Sequence, residues 1–212
     1  MGNAFRAVVF DLGGVVFPSP FEAFDEYDHA AGLSPGSVRA LIRTSSETGA
    51  WASLERGALS MDEFFAALEL EAEAAGFRLD ARILMDGIGA RFGPRPEMLH
   101  AIARIRAHGL RSAALTNNWA TPDGRSSPGG VGDLAFDVVV ESAVEGLRKP
   151  DPKIYLLVLD RLGVDAAESI FLDDLGINLK PARELGMTTI KVTDSVAALA
   201  ELERHLGFDI RS

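Results

Sequence analysis

The chain has 212 residues, 47% hydrophobic and 25% charged, an ordinary globular balance that fits one large domain or a core with a smaller companion. It has no cysteine, so disulfides, zinc–thiolate centres and a cysteine nucleophile are excluded, and a reducing, cytoplasmic setting is the expectation. The net charge of −10 argues against nucleic acid or an anionic membrane as partner, and no apolar run nears the ~20 residues that span a bilayer.

Met1 to Arg6 lacks a leader pattern and runs straight into an apolar stretch. Ala7–Phe10 predicts a buried strand that stops at Asp11-Leu12-Gly13-Gly14. Residues 17–95 then break the alternation. They hold helical patterns at Phe21–Ala31, Pro35–Ser45, Met61–Ala75 and Ala81–Phe92, with no convincing strand. Ser60-Met61-Asp62-Glu63 fits a capping box at the third. The pattern predicts a small helical bundle inserted after the first strand and sitting over the sheet's ligand edge.

A helix from Pro96 to Gly109 restores the rhythm. Strands are expected at Ser112–Leu115, Asp137–Val140, Ser169–Leu172 and Thr188–Val192, with a mobile loop at Thr121–Gly132. Helices are expected at Pro152–Leu162, Leu179–Leu185 and Val196–Leu206, each followed by glycine. Strands alternating with helices indicate an α/β fold, a Rossmann-like parallel sheet flanked by helices. Residues 1–16 and 96–212 form its core and 17–95 the helical cap.

Four segments end strands or open helices where an open α/β sheet binds ligands. They are Asp11-Leu12-Gly13-Gly14, Leu115-Thr116-Asn117-Asn118-Trp119, Arg148-Lys149-Pro150-Asp151-Pro152, and Phe171-Leu172-Asp173-Asp174-Leu175-Gly176-Ile177-Asn178. Phosphoryl transfer to an aspartate needs such a set. A carboxylate nucleophile divides ester cleavage into two steps, and a divalent cation offsets the repulsion between it and the phosphate. Asp11 and Asp174, with the Gly13 carbonyl, can supply an all-oxygen Mg²⁺ site. Thr116, Asn117 and the backbone N–H groups near Gly13 and Gly14 can hold phosphoryl oxygens. Lys149 adds positive charge against the developing transition state.

In order and spacing the four segments resemble those of the haloacid dehalogenase superfamily, in its Mg²⁺-dependent phosphatase branch. Thr116-Asn117-Asn118-Trp119 and Phe171 to Arg183 are particularly similar to the phosphatase-like domain of bifunctional soluble epoxide hydrolases and to the equivalent domain of some acyl-CoA dehydrogenases. The resemblance implies Asp11 as nucleophile, Asp174 as a metal carboxylate, and a Lys149–Asp173 hydrogen bond, with Asn178 in support. In that subgroup the chain continues into a second catalytic domain. Here it stops at Ser212, so a stand-alone version, monomeric or homodimeric, is expected.

One position departs from the pattern. The family's phosphatases carry an acid/base aspartate two residues after the nucleophile, and Gly13 stands there. A backbone carbonyl for the metal survives that change, but the proton donor does not, and general acid–base help is commonly worth ~10²–10⁴-fold. Slow turnover of alkyl phosphates follows, unless a cap group such as Asp25, Tyr27 or His29 supplies the proton. Two other classes compete with a phosphatase of a small phosphorylated metabolite. A metal-independent haloacid dehalogenase tolerates Gly13 but leaves Asp173-Asp174 unexplained. A non-catalytic protein binding a phosphorylated ligand or a partner is the other. Trp119 is expected to pack under the cap and Trp51 in the cap core, with the substrate pocket as the alternative place for Trp51; the four histidines are expected to be uninvolved and Glu69–Glu73 to be a solvated helix face.

Overall fold

A computed structural model describes residues 5–44, 47–91, 93–120 and 136–212. The chain builds a five-stranded sheet, all parallel, in the order β3-β2-β1-β4-β5. The strands are β1 (Ala7–Phe10), β2 (Arg111–Thr116), β3 (Val138–Glu141), β4 (Ser169–Asp173) and β5 (Thr188–Lys191). The expected loop at Thr121–Gly132 lies outside the described residues.

The apolar run of β1 is buried on both faces, as a central parallel strand requires. Its period of two divides the core. Val8 and Phe10 face α6 (Pro96–Ala107) and α10 (Ser195–Leu206) in one cluster. Ala7 and Val9 face α8 (Pro152–Leu162) and α9 (Gly176–Glu184) in another. Each fully buried Phe, Leu or Ile contributes roughly 1.5–3 kcal/mol of transfer free energy. Covering both faces therefore commits the chain to this layering.

Between β1 and α6 lie α1 (Pro20–Ala30), α2 (Ser37–Thr44), α3 (Ala50–Glu55), α4 (Met61–Ala74) and α5 (Ala81–Ala90). They enclose a hydrophobic cluster of their own, with Phe24, Val38, Leu54, Phe64 and Leu84 inside. The capping box at α4 forms as expected, with Ser60 and Glu63 each bonding the other's backbone N–H. The pattern along the chain did not predict α3. It has six residues, too short for a helical period to show. Nor did it predict the four-residue α7 (Ser142–Glu145).

Glu69 and Glu71 differ from a solvated face. Glu69 Oε1 accepts from the Ala81 N–H at 3.1 Å and Glu71 Oε1 from the Ala50 N–H at 2.7 Å. Each places negative charge at the N-terminus of a neighbouring helix, α5 and α3, where unpaired N–H groups favour it. The helical layer is thus tied together through capping as well as apolar contact. Among the described residues no helix is long and apolar enough to cross a membrane.

Candidate active site

The chain runs outward from β1 through β2 to β3, then returns to β4 on the other side of β1. The β1/β4 boundary is therefore the topological switch point, where carboxyl ends of strands splay apart and leave a crevice. Asp11 leaves β1 there, and Asp173 and Asp174 leave β4 beside it. Carboxylate oxygens of all three lie within 4.8 Å of one another.

Lys149 sits between two of them. Its Nζ is 2.8 Å from Asp11 Oδ1 and 2.8 Å from Asp173 Oδ2, and its side chain is wholly buried. Burial works against its charge, but Asp11 and Asp173 outweigh burial and raise its pKa above the ordinary value. It is therefore a fixed cation at neutral pH.

The three carboxylates play different parts. Asp173 is fully engaged: it accepts from the Leu175 N–H at 2.8 Å, from Asn178 Nδ2 at 3.1 Å on both oxygens, and from Lys149. Asn178 in turn is held by the Tyr155 hydroxyl, which donates to its carbonyl at 2.8 Å. Asp11 uses only Oδ1, which accepts from the Leu12 N–H at 2.7 Å and from Lys149; its other oxygen takes no hydrogen bond among the described residues. Burial pushes its pKa well above the ordinary value, Lys149 opposes this, and Asp173 and Asp174 add to it. Asp174 is pushed up to about 6 by burial and by the charge of Asp173, again against Lys149. The buried Ser19 hydroxyl lies against Asp174 without a bond of full hydrogen-bond geometry.

This set fits a hard divalent cation. Every donor is oxygen, and the carboxylates exceed the one buried lysine. The raised pKa values of Asp11 and Asp174 mark a site that favours added positive charge. Asp11 and Asp174 are the carboxylates with capacity to spare, whereas Asp173 has none.

The glycines differ from each other. At Gly14, with φ +79°, an added Cβ would lie 2.2 Å from Asp174 Oδ2, so absence of a side chain is what admits that carboxylate. At Gly13 the nearest atom to an added Cβ would be Pro20 Cδ at 3.7 Å, an ordinary contact. Arg95, which the motifs did not point to, donates from Nη1 to the carbonyls of Gly14 and Val15 at 3.0 Å each and braces this turn.

Thr116 ends β2 and is buried, with its hydroxyl 3.4 Å from the Asn117 carbonyl. The Asn117 side chain is committed elsewhere than the sequence suggested. Its Nδ2 donates to the Lys149 carbonyl at 3.0 Å and its Oδ1 accepts from the Lys149 N–H at 2.9 Å. It grips the peptide of the lysine, across a cis Lys149–Pro150 bond, leaving its backbone for any anion.

A cavity of about 510 Å³ opens over these groups, with Asp11, Gly13, Asn117, Lys149 and Asp174 at its base. Phe21, Phe24, Ile42, Trp51, Trp119 and Leu175 line it with apolar surface, and Arg39, Arg43, Glu47, Glu55 and Arg148 also border it. Trp51 and Trp119 do pack in the helical cluster, their ring centroids 6.0 Å apart, and also face the cavity. Asp25, Tyr27 and His29 do not line it. Asp25 pairs with Arg39, and the Tyr27 hydroxyl accepts from the Asp80 N–H. All four histidines are exposed.

The chain resembles known proteins along nearly its whole length. It is 39% identical over 216 residues to acyl-CoA dehydrogenase family member 10 of Mus musculus, covering 99% of this chain and 20% of that protein. It is 33% identical over 222 residues to bifunctional epoxide hydrolase 2 of Sus scrofa, covering 98% of this chain and 40% of that one. The chain thus spans well under half the length of these two relatives. It is 30% identical over 209 residues to sesquiterpene phosphatase astK of Aspergillus oryzae, covering 98% of this chain and all of that protein. A model of the haloacid dehalogenase-like hydrolases matches residues 5–186, which takes in β1 to β4 and all four converging segments, and the chain belongs to that family.

Proposed function

We propose that the chain is a Mg²⁺-dependent phosphatase acting through an aspartyl-phosphate at Asp11, with residues 17–95 as a cap over a core of 1–16 and 96–212. The observation that carries this is the pairing of Asp11 and Asp174 at the switch point, beside a lysine locked between Asp11 and Asp173. A dehalogenase needs no such carboxylate surplus.

Asp11, Asp174 and the Gly13 carbonyl would hold Mg²⁺, which when bound would supply the charge that lets a phosphate dianion approach two carboxylates. The free oxygen of Asp11 attacks phosphorus, and the bond to the ester oxygen breaks. Lys149, the Thr116 hydroxyl and the backbone N–H groups of Gly13 and Asn117 hold the phosphoryl oxygens as their charge shifts. The departing alkoxide takes its proton from solvent, because Gly13 offers none. Water then attacks the same phosphorus and releases inorganic phosphate and the Asp11 carboxylate. Asp173 and Asn178 keep Lys149 in place throughout.

The apolar wall suits a phosphate ester with a hydrophobic body, since small-molecule sites bury most of their ligand against such side chains. The name of the Aspergillus relative supports this. The test is phosphate release from p-nitrophenyl phosphate, acetyl phosphate and prenyl phosphates, with MgCl₂ or with EDTA. Release that needs Mg²⁺ and disappears in Asp11→Asn is expected. No release from any ester or anhydride, or halide release from 2-chloropropionate in EDTA, overturns the proposal.

A further inference from the structure

Glu55 stands at the end of α3, in the helical layer, yet most of its partners lie across the cavity. Its side chain is almost fully buried. Oε1 accepts from Trp51 Nε1 at 2.9 Å, one turn back on the same helix. Oε2 accepts from Arg148 Nε at 2.8 Å and Nη2 at 2.7 Å, and from Asn117 Nδ2 at 3.4 Å. Both oxygens are therefore spent as acceptors.

The identity of those partners matters. Arg148 immediately precedes Lys149, and Asn117 holds both polar atoms of the Lys149 peptide. One carboxylate from the helical layer thus touches the two residues that fix the backbone of the buried lysine. A two-point grip by Arg on a buried carboxylate is also geometrically specific, which a loose surface pair is not.

We propose that Glu55 is a positioning residue: through Arg148 and Asn117 it couples the helical layer to Lys149 and sets where the ammonium meets Asp11, a role that rests on the phosphoryl-transfer proposal above. Glu55 touches no reacting atom. Its effect is to keep the lysine segment seated when the cap is seated, so that a substrate enclosed by Trp51 and Trp119 meets a completed site.

The test compares Glu55→Gln, which keeps the size and removes the charge, with the wild type in two ways. Amide exchange followed by NMR is expected to speed up at Lys149 by ~10-fold or more, while amides of β1 and β4 keep their rates. Steady-state kinetics with p-nitrophenyl phosphate and Mg²⁺ is expected to show kcat lowered by ~10-fold with KM within about twofold, the signature of a contact that acts in the transition state. Glu55→Asp, with the charge on a shorter stem, is expected to fall between the two and replaces Glu55→Gln if that variant does not fold. Unchanged exchange at Lys149 overturns the proposal. So does a uniform rise across the sheet, which would make Glu55 a general support of the fold. A wild type that releases no phosphate sinks the phosphatase proposal alone, and exchange at Lys149 still decides whether Glu55 holds that segment.

Discussion

Gly14 and Asp174 occupy the same space in all but name: a Cβ on the first would lie 2.2 Å from Oδ2 of the second. The glycine also sits at φ +79°, where other residues cost ~1–2 kcal/mol. Gly14→Ala is therefore expected to push the Asp174 carboxylate off its position. Phosphatase activity should fall by about a hundredfold or more, the scale of losing an electrostatic contact made in the transition state. The melting temperature should drop by only roughly 2–8 °C. Retention of wild-type activity in a variant with that modest loss of stability would remove Asp174 from the site.

Gly13 poses the opposite case. Its backbone lies outside the left-handed region, and an added Cβ meets nothing closer than Pro20 Cδ at 3.7 Å. Gly13→Asp is thus accommodated and restores a carboxyl beside the cavity. If the missing proton donor limits turnover, the variant gains ~10-fold or more on alkyl phosphates. Acetyl phosphate, whose leaving group needs no proton, should gain little. The ratio of the two rates is the measurement, and an equal change on both substrates would mean that protonation is not the bottleneck.

The strand ends were legible from the sequence because each is a short apolar run cut off by a polar or glycine residue, and three such ends, with the lysine segment that opens α8, define one edge of a parallel sheet. The capping box at Ser60 and Glu63 was legible for the same reason: its partners are three residues apart. What stayed hidden depends on partners far along the chain. Glu55 meets Arg148 across 93 positions and Arg95 meets Gly14 across 81. Asn117 read as a phosphate ligand from its place after β2; that its side-chain amide also holds Lys149, 32 residues on, did not show. The helix α9 begins at Gly176, ahead of the expected Leu179, because Asp173 and the Leu175 N–H close the turn before it.

Among the described residues Lys149 is the only positive charge set between Asp11 and Asp173, and it has no exposed surface. Lys149→Met leaves two buried carboxylates facing each other without it. Removing one partner of a buried ion pair costs about 3–5 kcal/mol. The Asp11 pKa, already raised by burial and held down by Lys149, rises further in the variant. An acid whose folded pKa is raised loses stability as pH climbs through that value. The gap in melting temperature between variant and wild type is therefore expected to widen from mildly acidic to mildly alkaline pH, and activity to vanish. A gap that narrows with rising pH would contradict this placement of the lysine.

Asp174 gives the pH dependence of the metal. Its pKa stands at about 6 in the folded chain against an ordinary 3.8, through burial first and the charge of Asp173 second. The folded protein therefore holds this proton more tightly than the unfolded chain does. Its contribution to stability is fully present below the ordinary value and is lost as pH rises through about 6. A cation bound at Asp174 must displace that proton, so Mg²⁺ should stabilise the protein little in acid and most at pH well above 6. Thermal unfolding with MgCl₂ and with EDTA across that range measures it. Asp174→Asn removes the titrating group and should flatten the difference. A Mg²⁺ shift of equal size on both sides of pH 6 would show that the cation binds somewhere other than Asp174.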